Sequence, residues 1–188
     1  RGCNHTLAGV NRCFVNQDTV RQPGADDGGT PPGDTLGTLL NYQTIMLGGY
    51  HPNIMDAAVA EPTNSTDVAA GVRGVGPING VGTPLNFEDR VQKVGWMTDH
   101  TFGTYRFKLD YTTTFTGVGL ALFVDQYGIV GDDSAIGFAQ QGDSGAAVLT
   151  EVTNELVGLV IGVPKDMNMA IASPIEPILA AFGVTPTR

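Results

Sequence analysis

Gly142-Asp143-Ser144-Gly145 decides the fold, together with the three segments downstream of it: Ala146-Ala147-Val148-Leu149-Thr150, a polar break at Glu151-Val152-Thr153-Asn154-Glu155, and the apolar run Leu156-Val157-Gly158-Leu159-Val160-Ile161-Gly162-Val163. A serine between glycines meets the needs of acyl transfer. The hydroxyl must stand clear of its own backbone, and neighbouring N–H groups must point at the oxygen that becomes negative. Flanking glycines allow that sharp turn without a Cβ clash. Gly, Asp and Ser are also ordinary turn residues, so the tetrapeptide taken alone is open to a second reading as a surface turn. The apolar run has the length of a buried strand, so the order is nucleophile loop, strand, tight turn, strand.

That order is not the strand-to-helix elbow of the α/β-hydrolases, whose motif needs a glycine where Ala146 stands. With a third strand near Met167-Asn168-Met169-Ala170-Ile171-Ala172 and a short terminal helix, it resembles the chymotrypsin-like (trypsin-fold) serine proteases, in which the triad runs His, Asp, Ser along the chain. Cys3-Asn4-His5-Thr6-Leu7-Ala8 is similar to the N-H-V-L-A segment around the catalytic histidine of the bacterial branch, which the resemblance places near a helical turn. Arg21-Gln22-Pro23-Gly24 and Asp26-Asp27-Gly28-Gly29 resemble the Q-P-G and D-G-G loop of that branch. Asp56-Ala57-Ala58-Val59 matches the family's D-x-A-[LVI] pattern. His5 and Asp56 are 51 residues apart and Asp56 and Ser144 are 88 apart, which leaves room for the intervening strands.

The resemblance implies a mechanism. His5 takes the Ser144 proton and returns it to the leaving amine, and Asp56 fixes the imidazole tautomer. The N–H groups of Gly142 and Ser144 form the oxyanion hole. Asp143 is conformational and needs a buried cationic or donor partner, which the sequence does not identify. Substrate contacts fall on Phe138 (the pocket base, six residues before the serine), Gln141, and the wall Ile161-Gly162-Val163. Apolar groups there argue for a small or apolar substrate side chain rather than Lys or Arg. Cys3 and Cys13 bracket His5, and relatives close this loop with a disulfide; the residues alone are equally two free thiols.

Each triad residue also has a plainer reading: His5 as a solvated loop residue, Asp56 as a helix cap or surface charge. His51 and His100 read as loop and turn residues. No His, Cys and carboxylate cluster has metal-ligand spacing, and neither Asp26-Asp27 nor Asp132-Asp133 follows the calcium-loop pattern, so no metal and no cofactor is expected. Asn64-Ser65-Thr66 matches the N-glycosylation acceptor in a polar loop.

Composition agrees with this. The chain has 188 residues, 41% hydrophobic, with 26 glycines and 11 prolines, which suits many turns between short strands. A net charge of −9, with lysine only at 93, 108 and 165, argues against nucleic acid as a partner. The apolar runs are far shorter than the roughly 20 residues a membrane helix needs. The acidic balance points to a secreted, extracellular protein or to a salt-tolerant one.

The fold expected is all-β, a double six-stranded β-barrel with a short C-terminal helix. Residues 1–86 form a partial N-terminal barrel carrying His5 and Asp56, and residues 87–188 a C-terminal barrel carrying Ser144. Strands are expected over 91–98, 104–115, 118–126, 146–150, 156–163 and 167–172, with a helix over 174–182 between a proline and Gly183. Only three are expected earlier, over 14–20, 38–46 and 56–60. Half a barrel cannot close its edges, so an upstream segment of the same precursor is expected to complete it, either continuous with Arg1 or retained after cleavage there. The function expected is a serine endopeptidase acting on protein or peptide substrates; the rival is a catalytically idle protease fold with a structural or binding role.

Overall fold

The computed structural model describes residues 5–7, 10–12, 18–24, 28–115, 119–165 and 168–186, the first two segments as backbone only. The chain divides into two compact units: Arg1–Ala69 with Thr112–Leu122, and Ala70–Tyr111 with Phe123–Arg188. Residues 70–86, read from sequence with the first half, therefore belong to the second. Gly82 N–H donates to Leu156 O, Asn79 N–H donates to Asn154 O, and Leu85 is buried in the second unit's core.

The second unit is a closed ring of six antiparallel strands. These are β7 (Arg90–Gly95), β8 (Asp99–Phe115), β9 (Gly119–Gly131), β10 (Ala147–Thr150), β11 (Leu156–Gly162) and β12 (Met169–Pro174). The order is β12-β11-β10-β7-β8-β9, and β9 returns to pair with β12. Registers such as Val148↔Gly158 and Ala170↔Ile129 set Val148, Val160, Ile129 and Ala170 in one core, each 1% exposed or less. Helix α1 (Ile175–Phe182) follows at once. Pro174 is its N-cap, and Gly183 ends it at φ 64° with its N–H on Leu179 O, the left-handed cap that glycine favours.

The first unit has more strands than the three expected. Among the described residues it holds β1 (His5–Leu7) paired with β2 (Val10–Arg12), a sheet of β3 (Thr19–Arg21), β4 (Thr35–Tyr42) and β6 (Ala58–Pro62), and β5 (Pro52–Asn53) beside β9. The added strands are two or three residues long, too short for an alternation to show in sequence. Asn53 holds β5 in place: its Nδ2 donates to Met46 O at 3.0 Å and Leu122 O at 2.9 Å, and its Oδ1 accepts from Met46 N–H. No helix among the described residues is long and apolar enough to cross a membrane.

Candidate active site

The loop carrying Ser144 is fixed by its own backbone. Asp143 N–H donates to Gln140 O at 3.0 Å, and Ala146 N–H donates to Asp143 O at 3.0 Å. The far side is pinned to β11, with Gly145 N–H on Val160 O at 2.7 Å and Val160 N–H on Ala146 O at 3.0 Å. Gly142 sits at φ 109° and Gly145 at φ 89°, a region L side chains rarely adopt, and so both bends require glycine. Ser144 between them is exposed. Among the described residues, neither Gly142 N–H nor Ser144 N–H has an acceptor. The loop thus carries an exposed serine together with two backbone donors that have no acceptor among the described residues.

Asp143 points the other way, into the protein, and its partners are the ones the sequence could not name. Oδ1 accepts from Met97 N–H at 2.7 Å and Thr98 N–H at 3.3 Å; Oδ2 accepts from Thr98 Oγ1 at 2.7 Å and Gln140 N–H at 2.9 Å. Lys93 Nζ stands 3.3 Å from Oδ2. Lys93 also donates to Thr98 Oγ1 and, at 3.1 Å, to Asp99 O. Burial alone would raise the Asp143 carboxyl, but the Gln140, Thr98 and Met97 donors and the Lys93 ammonium outweigh it and hold the group below the usual carboxylate range. Burial pushes Lys93 below the usual lysine value, against the pull of Asp143. The one sequence signal for Lys93 was a lysine inside the run Val91-Gln92-Lys93-Val94, which the strand turns inward.

A cavity of about 460 Å³ opens beside the same loop. Residues 134–137 and 139–141 form one wall, and Val163, Pro164, Lys165 and Asn168 the other. One wall leads through Gln141 into the Ser144 segment, and the other follows β11, whose Val160 is hydrogen-bonded to Gly145 and Ala146. Of the expected substrate contacts, Gln141 and Val163 line this cavity. Phe138 does not: it has no exposed surface, it belongs to the core, and its carbonyl accepts from Thr101 Oγ1 at 2.6 Å. Its ring lies over Gly103, where a Cβ would come 2.7 Å from Phe138 Cδ2. Ile161 and Gly162 also lie outside the lining, and Gly162 faces the Tyr111 ring. Asn168 Nδ2 donates to Gly131 O at 2.9 Å, while its buried Oδ1 has no partner among the described residues.

The remaining expected site residues lie in the first unit. His5 is placed on strand β1, opposite Arg12, rather than at a helical turn; its side chain, like Cys3 and Cys13, lies outside the described residues. Asp56 is half-buried, between β5 and β6. The other two histidines are exposed, and His100 Nε2 lies 2.8 Å from Gln92 Oε1. Asp132 is held in a bidentate pair with Arg90 at 2.6 Å, and Asp133 accepts from Ala135 N–H at 2.8 Å. Asp26 and Asp27 lie outside the described residues. Among the described residues no group of three or more His, Cys, Asp and Glu is placed to hold a metal.

No protein-family model and no curated protein matches the chain in sequence. Solved structures do match in shape. Nocardiopsis protease (NAPase) is similar at a TM-score of 0.59 and 15% identity, over 93% of this chain and 81% of that one. Thermobifida fusca Protease A matches at 0.54 and 21%, over 78% and 72%. Cellulomonas bogoriensis chymotrypsin matches at 0.51 and 19%, over 86% and 79%. At these identities the likeness speaks for the fold, and the chain has the all-β fold of the bacterial chymotrypsin-like serine proteases.

Proposed function

We propose that this protein is a serine endopeptidase. Ser144 Oγ attacks the carbonyl carbon of a peptide bond while His5, the general base, takes its proton. The carbonyl oxygen becomes an oxyanion facing the Gly142 and Ser144 N–H groups. As the tetrahedral species collapses, His5 returns the proton to the leaving amine, and a water, activated by the same imidazole, hydrolyses the acyl-enzyme. Asp56 orients the imidazole and stabilises its charged form. The assignments of His5 and Asp56 rest on their sequence segments. The observation that carries the reading is Ser144 itself: exposed, beside two N–H groups that have no acceptor among the described residues, and next in the chain to a buried, ion-paired carboxylate at the edge of a cavity.

The test is labelling with a fluorophosphonate, read by mass spectrometry, alongside cleavage of an unfolded protein substrate. Labelling should map to Ser144 and vanish in Ser144→Ala and His5→Ala. Asp56→Asn should slow both label and cleavage by several orders of magnitude while the fold stays intact. A folded protein that takes no label and cleaves nothing would overturn the reading in favour of a non-catalytic subunit.

A further inference from the structure

We infer that the cavity beside Ser144 selects an acidic side chain at P1, the residue on the acyl side of the scissile bond, with Lys165 as its counter-charge; this rests on the protease reading above. Among the described residues, Lys165 is the only charged side chain in the lining, and no Asp or Glu is found there. The ammonium makes no ion pair among the described residues and is exposed. Exposed at the cavity, it can meet a ligand, in a chain whose net charge is −9 and which has three lysines in all.

The other polar groups of the lining narrow the choice. Gln140 Nε2 places one of its two N–H groups on Ile136 O at 3.1 Å, and Asn168 Nδ2 one of its two on Gly131 O; Asn168 Oδ1 is an acceptor with no partner among the described residues. The lining also presents the Lys165 ammonium, the Ser134 hydroxyl and the Gln141 amide, all three exposed. A carboxylate accepts from these donors and pairs with the ammonium, whereas a lysine or arginine would meet a like charge at Lys165. Ile136, Val163 and Pro164 give the methylenes of a glutamate an apolar wall. The small or apolar preference expected from sequence rested on Phe138 at the pocket base and on the wall Ile161-Gly162-Val163; Val163 lines the cavity, whereas Phe138 lies in the core.

The experiment uses the full chain and four succinyl-Ala-Ala-Pro-Xaa-p-nitroanilide substrates, with Xaa as Glu, Gln, Leu or Lys. At neutral pH kcat/KM should be highest for Glu, about five- to tenfold above Gln, and lowest for Lys. Glu and Gln differ in charge at nearly equal shape, so their ratio reads Lys165 rather than general packing. Lys165→Gln should bring that ratio close to one, Lys165→Arg should retain it, and high salt should shrink it. A preference for Gln, Leu or Lys, or a ratio indifferent to Lys165→Gln, overturns the inference. If Ser144 takes the fluorophosphonate in that same preparation, only the specificity falls. If no substrate is cleaved and no label is taken, the protease reading falls and the inference falls with it.

Discussion

Lys93 Nζ lies 3.3 Å from Asp143 Oδ2, and neither side chain has any exposed surface. The pair joins strand β7 to the residue next to Ser144. Through Met97 and Thr98 it also ties the β7–β8 turn to the same carboxylate. Such a pair costs much to desolvate and is sustained only where every donor and acceptor is answered. Here the carboxylate accepts four hydrogen bonds besides the ion pair. It therefore positions the loop more than it stabilises the fold.

Removing one member strands the other as a buried charge. Lys93→Met or Asp143→Asn should lower unfolding stability by about 3–5 kcal/mol, a large share of the roughly 5–15 kcal/mol typical of a domain. The double variant Lys93→Met/Asp143→Leu should recover part of that loss. Denaturant unfolding of the four proteins gives the coupling as a double-mutant cycle. If the single and double losses simply add, the pair does not couple.

The same carboxylate sets a pH dependence. In the folded protein Asp143 is held below the usual carboxylate value of about 4, so in that window the unfolded chain binds more protons and stability rises with pH. The contribution is complete above about pH 4–5 and drains away as pH falls through the lower folded value. Between about pH 3 and 5 the stability of Asp143→Asn should accordingly vary less steeply than that of the parent. Identical slopes would remove Asp143 as the cause.

The second unit was largely legible because its elements carry strong local signals. The run at 156–163 appears as β11, and the proline-to-Gly183 punctuation marks α1 within a residue. Strand β9 runs on to Gly131, beyond the expected end at 126, because Gly128 is not a break. A Cβ there would come 2.8 Å from Phe107 Cε2, so the glycine makes room for a ring. Strands β1, β2 and β5 are too short to show a period, and Asp56 falls two residues before β6 rather than inside a strand. At the candidate site, the glycine-flanked serine was readable, because its spacing is local. The roles of Lys93 and Lys165 were not, because partnership and pocket lining depend on residues far away in the chain.

Val160 tests how far the site depends on the core. It is 1% exposed on β11, and its backbone carries both hydrogen bonds that join the Ser144 loop to that strand. Val160→Asp places an unpaired charge there, at a cost of several kcal/mol. Cooperative unfolding should be lost, while Val160→Ala should fold with a loss of roughly 1–3 kcal/mol. A soluble, cooperatively folding Val160→Asp protein would contradict the burial assigned to β11.

Gly142 separates chemistry from folding. Its φ of 109° strains any L residue, and a Cβ there would stand 2.5 Å from Met97 Cγ. Met97 is a flexible side chain and can move aside, so the backbone strain is the larger obstacle. Gly142→Ala should relieve it by rotating the peptide, which re-aims the Gly142 N–H. Losing one oxyanion donor should lower kcat by about 10²–10³-fold. Stability should fall by only about 1–3 kcal/mol, since the loop's anchors at Asp143 and Val160 remain. The companion variant Gly142→Ala/Met97→Ala removes the crowding and leaves the strain. It should stay as slow as Gly142→Ala alone, and a return to parental kcat would show that Met97, not the N–H direction, was responsible.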